Sequence, residues 1–229
     1  MLLLSLDTST RTCSVALHKD QELLLSYELN TDRSSASMLT PLIEVGLNHA
    51  GVQLSELDAV AIAMGPGSYT GLRVGVATAK GLCYAIEKPL IAINTLKAMA
   101  KQIDVIDSKM LLCPMLDARR MEVYCAVYDT SLHEIQATRA EIVTEDSFIE
   151  QLNNHPVVFF GEGSPKCKSM LGNHPNAIFV DRLVRPSAKT IGELAHNEYL
   201  IKNFVDLVSF EPFYLKDFMS TKSKEKAKF

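Results

Sequence analysis

The chain has 229 residues, with 23 lysines and arginines against 27 aspartates and glutamates, so it carries a formal charge of −4 on a composition of 47% hydrophobic and 22% charged residues. That balance excludes a dedicated polyanion-binding module, leaving room only for a local or shared nucleic-acid contact, and it excludes a disordered tail-like chain. No apolar run approaches the ~18 residues of a membrane span, and a soluble globular protein is expected.

The opening MLLLSLD has no basic stretch and no small-residue cleavage site, and Asp7 ends its apolar run at once, so no signal peptide and a cytoplasmic location are expected. Residues 2–6, 13–18 and 22–29 read as three strands of a meander, because apolar and β-branched runs are punctuated by polar turn residues. A helix follows from about Ser37, where Leu39, Leu42, Ile43, Gly46 and Leu47 fall at helical spacing behind a serine cluster, with Pro41 in its first turn. Residues 57–64 then read as a buried strand, 65–71 (GPGSYTG) as a turn, 72–85 as a helix, 90–93 as a strand and 95–102 as the start of a helix. This βββαβαβα order predicts a mixed sheet with helices on its faces, the ribonuclease-H-like arrangement.

After residues 104–108 the pattern restarts. Strands are expected at 111–116 and 122–128, with further ones near 134–139 and 142–144. A helix over 145–152, a short buried strand at 157–160 and a helix over 187–203 behind a first-turn Pro186 follow. Two lobes are therefore expected: residues 1–103, a smaller lobe over 104–210, and a closing segment, 211–229, that either extends the second lobe or packs back on the first. The end of the chain carries Lys216, Lys222, Lys224, Lys226 and Lys228 against Asp217 and Glu225, a basic tail on an acidic protein.

Three stretches bear on chemistry. The segment Met64-Gly65-Pro66-Gly67-Ser68-Tyr69-Thr70-Gly71-Leu72-Arg73 lies between a strand and a helix, where backbone N–H groups can face an anion, yet it lacks the Lys-Ser/Thr of a P-loop and the spacing of a dinucleotide fingerprint. It reads equally as a tight structural turn. Gly71, Gly75, Ala79 and Cys83 recur every fourth residue beside a second row, Ala77, Gly81 and Ala85, so another backbone can approach closely, either the protein's own sheet or a partner helix. Asp7, Thr8 and Ser9, followed by Thr10 and Arg11, offer a carboxylate and hydroxyls to a phosphate or its Mg²⁺, or form an ordinary polar turn; Asp117-Ala118-Arg119-Arg120 is the comparable corner of the second lobe. Five widely spaced cysteines without a Cys-x-x-Cys pair read as buried reduced thiols, and six histidines without a close pair give no metal motif.

The stretches LLLSLDTSTRTCSVAL, LTPLIEVGL, DAVAIAMGPGSYTGLRVGVATAKGL and LDARRMEVYCAVY, with weaker matches in FFGEGSPK and EPFYLKD, closely resemble the bacterial TsaB (YeaZ) family. The resemblance implies two ribonuclease-H-like lobes of the actin and sugar-kinase superfamily. It also implies a non-catalytic scaffold and activator in making threonylcarbamoyladenosine beside the anticodon of tRNAs that read codons beginning with A. The partners it implies are a TsaD-like catalytic paralogue and a TsaE-like ATPase, which use the ATP and the metal ion, with tRNA engaged through the complex and a homodimer when the chain is alone. TsaD-like enzymes carry metal-binding histidines ahead of the stretch that here reads Leu39-Thr40-Pro41-Leu42-Ile43; Ser35 stands where both branches commonly have a histidine, so no metal or cofactor is expected on this chain. The family's subunit contact maps onto the helices around 37–50 and 71–85, which nominates Gly71, Arg73, Gly75 and Ala79, with Leu39 and Leu42 beside them, as interface residues. An ATP-dependent phosphotransferase or ATPase centred on Asp7, Thr8, Ser9 and Asp117 is the competing reading, and a glycoprotease-like peptidase stands behind it.

Overall fold

The computed structural model describes residues 1–30, 35–104 and 107–216. Strands β1 (Leu2–Asp7), β2 (Thr12–Lys19) and β3 (Glu22–Asn30) form the expected meander, β1 pairing antiparallel with β2 and β2 with β3. Helix α1 (Ser35–Ala50) begins earlier than the periodicity predicts, which moves Pro41 from the first turn into the body of the helix, where it removes one backbone donor. Ser34, immediately ahead of the helix, lies outside the described residues.

β4 (Ala59–Gly65), α2 (Tyr69–Ile86), β5 (Leu90–Asn94) and the short α3 (Thr95–Ala100) complete the first unit. α2 starts three residues before the expected position, because Ser68 caps it by accepting a hydrogen bond from the Gly71 N–H at 3.3 Å. The five strands lie in the order β3-β2-β1-β4-β5, with β4 parallel to β1 and β5 parallel to β4. Leu4, Leu6, Val15 and Leu17 pack on one face against Leu39, Ile43 and Leu47 of α1 and Val76, Ala79 and Cys83 of α2.

The second unit repeats the plan with β6 (Leu111–Asp117), β7 (Glu122–Tyr128), β8 (Glu134–Ile142), α4 (Ile149–Asn154), β9 (Val157–Phe160), α5 (Ser164–Leu171) and β10 (Ala177–Phe179). Its sheet reads β8-β7-β6-β9-β10, the same order as the first when its strands are counted along the chain. One long β8 replaces the two short strands expected there, its irregularities taken up by register shifts against β7. α4 begins only at Ile149, after Phe148 in the left-handed region. Helix α5 and strand β10 were not among the expected elements: the apolar positions of SPKCKSML, Cys167, Met170 and Leu171, cover little more than one turn, and AIF is too short to show a period.

The two units exchange helices. α3 sends Leu96, Met99 and Ala100 into the second sheet against Leu112, Leu116, Ala126 and Phe160. Helix α6 (Ala188–Leu200), after the second sheet in the chain, instead lies on the first, where Ile191 and Ala195 meet Leu3, Ala59, Ala61, Ile91 and Ile93. This corrects the expected lobe 104–210: α6 and the segment after it leave the second lobe for the first. Val205 bridges to Leu90, and the Phe213 N–H donates to the Met64 carbonyl at 2.8 Å. Pro186 stands before the cap residue Ser187 and not inside the first turn of α6. All five cysteines are free and buried. Among the described residues no helix is long and apolar enough to cross a membrane.

Candidate functional site

The first candidate corner lies where β1 ends. Asp7 is fully buried; its Oδ1 accepts the Ser9 N–H at 2.7 Å, while Oδ2 and the Ser9 hydroxyl have no partner among the described residues. The Thr8 hydroxyl is turned inward and donates to the Gly71 carbonyl at 2.7 Å, and the Ser68 N–H donates to the Ser9 carbonyl at 2.6 Å. The start of α2 is seated directly on this turn, and the glycines are what permit it. A Cβ on Gly67 would stand 2.3 Å from the Ser9 carbonyl oxygen, and one on Gly71 would stand 2.0 Å from that of Thr8. On Gly75 it would meet the Thr8 hydroxyl at 2.3 Å and Ile62 at 3.0 Å.

The small-residue row of Gly71, Gly75 and Ala79 therefore faces the protein's own sheet, which removes these three from the expected partner surface. Leu39 goes with them, buried in the core beneath α1. Leu42 is half-buried at the edge of that core, and Arg73 is exposed, its guanidinium 5.5 Å from the centre of the Tyr69 ring. The other row of α2 is the open one: Ala77, Gly81 and Ala85 are exposed, and a Cβ on Gly81 would meet nothing within 4 Å.

Asp7 is directly opposite Ser14 on β2, and Ser14 opposite Glu28 on β3. The Ala188 N–H of α6 donates to the Ser14 hydroxyl at 2.9 Å, and the Ser187 hydroxyl donates to Glu28 at 2.5 Å. Burial pushes the Asp7 carboxyl up to about 6, against the lowering effect of the Ser9 N–H and with the charge of Glu28 adding to the rise. Farther along β2, burial pushes His18 below the usual imidazole range, with Lys189 and His196 adding to the effect.

The second candidate corner, where β6 ends, is filled differently. Asp117 Oδ1 accepts the Arg119 N–H at 2.8 Å and the Lys166 ammonium at 2.5 Å. Lys166 also donates to the carbonyls of Arg120 at 2.8 Å and Glu122 at 2.6 Å, which uses all three of its protons. Partial burial raises the Asp117 carboxyl, but the Lys166 ammonium and the Arg119 N–H outweigh it and leave the group below the usual carboxylate range. Lys166 was not among the sequence candidates; only its place in FFGEGSPK pointed to it, and nothing local tells that α5 carries it to Asp117. Lys166→Met is expected to cost about 1–2 kcal/mol, because two backbone carbonyls lose their donor, and a urea titration of both proteins checks this.

Among the described residues no cluster of three or more His, Cys, Asp or Glu side chains gathers to hold a metal ion. Burial pushes the thiols of Cys13, Cys83 and Cys167 up to about 11, so at neutral pH these three are protonated and unreactive.

A family model described as TsaD, tRNA N6-adenosine threonylcarbamoyltransferase, matches residues 29–219. The tRNA threonylcarbamoyladenosine biosynthesis protein TsaB of Haemophilus influenzae is 31% identical over 226 residues, covering 95% of this chain and 94% of that protein. The chain belongs to the TsaB family. The TsaB of Bacillus subtilis is 30% identical over 175 residues, 75% of each chain. The crystal structure of YeaZ from Pseudomonas aeruginosa superposes with a TM-score of 0.75 at 27% identity, covering 93% of this chain and 99% of that one. The ethanolamine utilization protein EutJ of Carboxydothermus hydrogenoformans, at a TM-score of 0.51 and 11% identity, shares the fold with this TsaB-family chain.

Proposed function

We propose that this TsaB-family chain is a non-catalytic subunit in the synthesis of threonylcarbamoyladenosine on tRNA, holding and activating a TsaD-like transferase with a TsaE-like ATPase. The observation that carries this reading is the state of the two matching corners. In the first, the Thr8 hydroxyl and the Ser9 carbonyl are bound by α2, whose glycine-lined start occupies the space above the turn. In the second, the ammonium of Lys166 already neutralises Asp117. The first corner is overlaid by α2, with Asp7 Oδ2 and the Ser9 hydroxyl left without a partner beneath it, and the second is neutralised from within the chain, which together disfavour the competing ATPase centred on Asp7, Thr8, Ser9 and Asp117.

The partner surface under this reading is the open side of α2, with Arg73, Ala77, Gly81 and Tyr84, the last 83% exposed, and with Val45 and the outer edge of Leu42 on the adjoining α1. A glycine whose outward face meets nothing lets a second helix approach closely, and the same face in two copies makes a homodimer. Light scattering after size exclusion tests this on the chain alone and mixed with its TsaD-like partner. Gly81→Leu is expected to abolish the partner-dependent shift while the protein melts no lower than wild type, since leucine is favoured over glycine in a helix by about 0.5–1 kcal/mol. A complex unchanged by Gly81→Leu and Tyr84→Ala would discard this surface. Absence of any complex, together with full product formation in a reconstituted system lacking the chain, would discard the role itself, and ATP turnover by the purified chain would restore the ATPase.

A further inference from the structure

The face of the first sheet that α6 covers is apolar on β4 and β5, with Ala59, Ala61, Ile91 and Ile93, and polar on β1 and β2, where Ser5, Ser14 and His18 are buried. Ser14 accepts the Ala188 N–H of the helix. The Ser5 hydroxyl, both ring nitrogens of His18 and Nδ1 of His196 on α6 are buried without a hydrogen-bond partner among the described residues. The helix comes down on this polar strip through Gly192, where a Cβ would stand 2.3 Å from His18 Nδ1 and 2.7 Å from Ser5 Oγ. On that side the imidazole meets helix backbone and no acceptor.

The fastening of α6 is slight. The five strands of the sheet pair with one another and need no hydrogen bond from the helix. Of the residues that α6 buries fully, Ile191 is the only large apolar one, beside Ala188, Gly192 and Ala195, so the apolar area holding it is modest. The helix is also the middle of a band across the first lobe. Residues 180–187 bring the chain from β10, and beyond the helix Val205 bridges to Leu90 and Lys80 of α2 donates to the carbonyls of Val208 and Phe210 at 3.3 and 3.0 Å.

A second proton on the His18 ring would find no free counter-charge. On α6, Glu193 is 4.0 Å from the Lys189 ammonium, and Lys189 and His196 both oppose a positive imidazole. Asp20, just past Lys19 and the end of β2, accepts the Met1 amine at 2.7 Å, and Glu28 on β3 accepts the Ser187 hydroxyl at 2.5 Å. Asp7, at the far end of β1, is itself protonated up to about pH 6 in the folded state. We propose that α6 is an acid-released clasp: a proton on His18 lifts the helix from β1 and β2 while both sheets stay folded. The packing under the helix carries this, independently of the role proposed above. Once the helix lifts, the imidazolium and the Ser5 hydroxyl gain the hydration that burial denies them. Because burial lowers the proton affinity of His18 in the docked state, docking is full above pH 6.5 and weakens as pH falls, by at most about tenfold per pH unit, the limit for one proton.

Hydrogen–deuterium exchange of the full chain between pH 7.5 and 5, read by mass spectrometry and corrected for the intrinsic pH dependence of amide exchange, tests this. Peptides covering α6 are expected to lose about tenfold in protection at the acid end, while those covering β4, β6 and β7 keep theirs. In His18→Gln the loss is expected to fall below about twofold. Protonation of Asp7 opposes the release near pH 6 but is common to both proteins, so it cancels in their comparison. Equal protection of α6 across the range, an unchanged loss in His18→Gln, or simultaneous loss of α6 and the sheets overturns the proposal. If His18→Gln does not fold, the wild type decides by NMR: the His18 ring must titrate over the same pH course as α6 opens, and a ring that titrates without opening, or an opening complete before the ring titrates, overturns it.

Discussion

Gly71→Ala is expected to destabilise the protein by about 3 kcal/mol, against the usual sign for such a change in a helix. In an open helix position alanine is better than glycine by about 1 kcal/mol, and Gly81→Ala, whose Cβ would meet nothing within 4 Å, is expected to show that gain. At Gly71 the new Cβ would lie 2.0 Å from the Thr8 carbonyl oxygen, a backbone atom of the turn that follows β1 and cannot swing aside. Relief requires α2 to lift from the turn, which breaks the hydrogen bond from the Thr8 hydroxyl to the Gly71 carbonyl and opens the packing of Leu72 and Val76 beneath it. Urea titrations of the two variants check this: the midpoints should move in opposite directions with the slope unchanged. A neutral or stabilising Gly71→Ala would mean that α2 is not seated on Thr8. For the same reason Gly75→Leu is a poor probe of any partner surface, since it strikes Thr8 and Ile62 inside the lobe before it reaches a neighbour.

Asp7→Asn is expected to raise stability by about 3 kcal/mol at pH 8 and to leave it nearly unchanged at pH 4. The carboxyl titrates near 3.8 when unfolded and at about 6 when folded. Between these values the native state keeps a proton that the unfolded chain has released, so stability falls as pH rises through this window and stays low above it. Asparagine retains the acceptor for the Ser9 N–H and never carries the charge. His18 contributes with the opposite sign: burial lowers its folded pKa below 6.5, so protonating it favours unfolding, and its stability contribution is recovered as pH rises towards 6.5. In wild type the two effects oppose each other; in Asp7→Asn the rise due to His18 should stand alone. Thermal melts of both proteins at pH 4, 6 and 8 decide it. A variant less stable than wild type at pH 8 would mean that the Asp7 carboxylate is stabilised by a cationic or hydrogen-bonding partner, as a metal-binding role would require, and would reopen the ATPase reading.

Much of the architecture was legible in the amino-acid order. Alternation and turn residues delimit β1 to β3 to within one or two positions, and the apolar runs of β6, β7 and β9 mark the restart of the pattern. The glycine turn announces α2 as a helix following a buried strand, but not the Ser68 cap that starts it three residues earlier. The candidate corners were legible too, since a carboxylate with hydroxyls or arginines at a strand end draws attention by composition alone. α5 and β10 were not legible, because the apolar face of one covers little more than a single turn and the other has only three residues.

The chain by itself determined the local elements, the duplicated plan and the family, because propensity, periodicity and turn chemistry act over a few residues. Only the tertiary structure decided what each face meets. An apolar period says that a helix has a buried side and does not say against which sheet, so α6 could be assigned to the first lobe only once Ile191 and Ala195 were found against Leu3 and Ile91. The two small-residue rows of α2 are equivalent as patterns; the position of Thr8 selects Gly71 and Gly75 for the interior and leaves Gly81 outside. Lys166 reaches Asp117 across 49 residues because α5 packs back on the second sheet beside the end of β6. Contacts of that range depend on the packing of whole layers, whose free energy is not written in any local stretch of sequence.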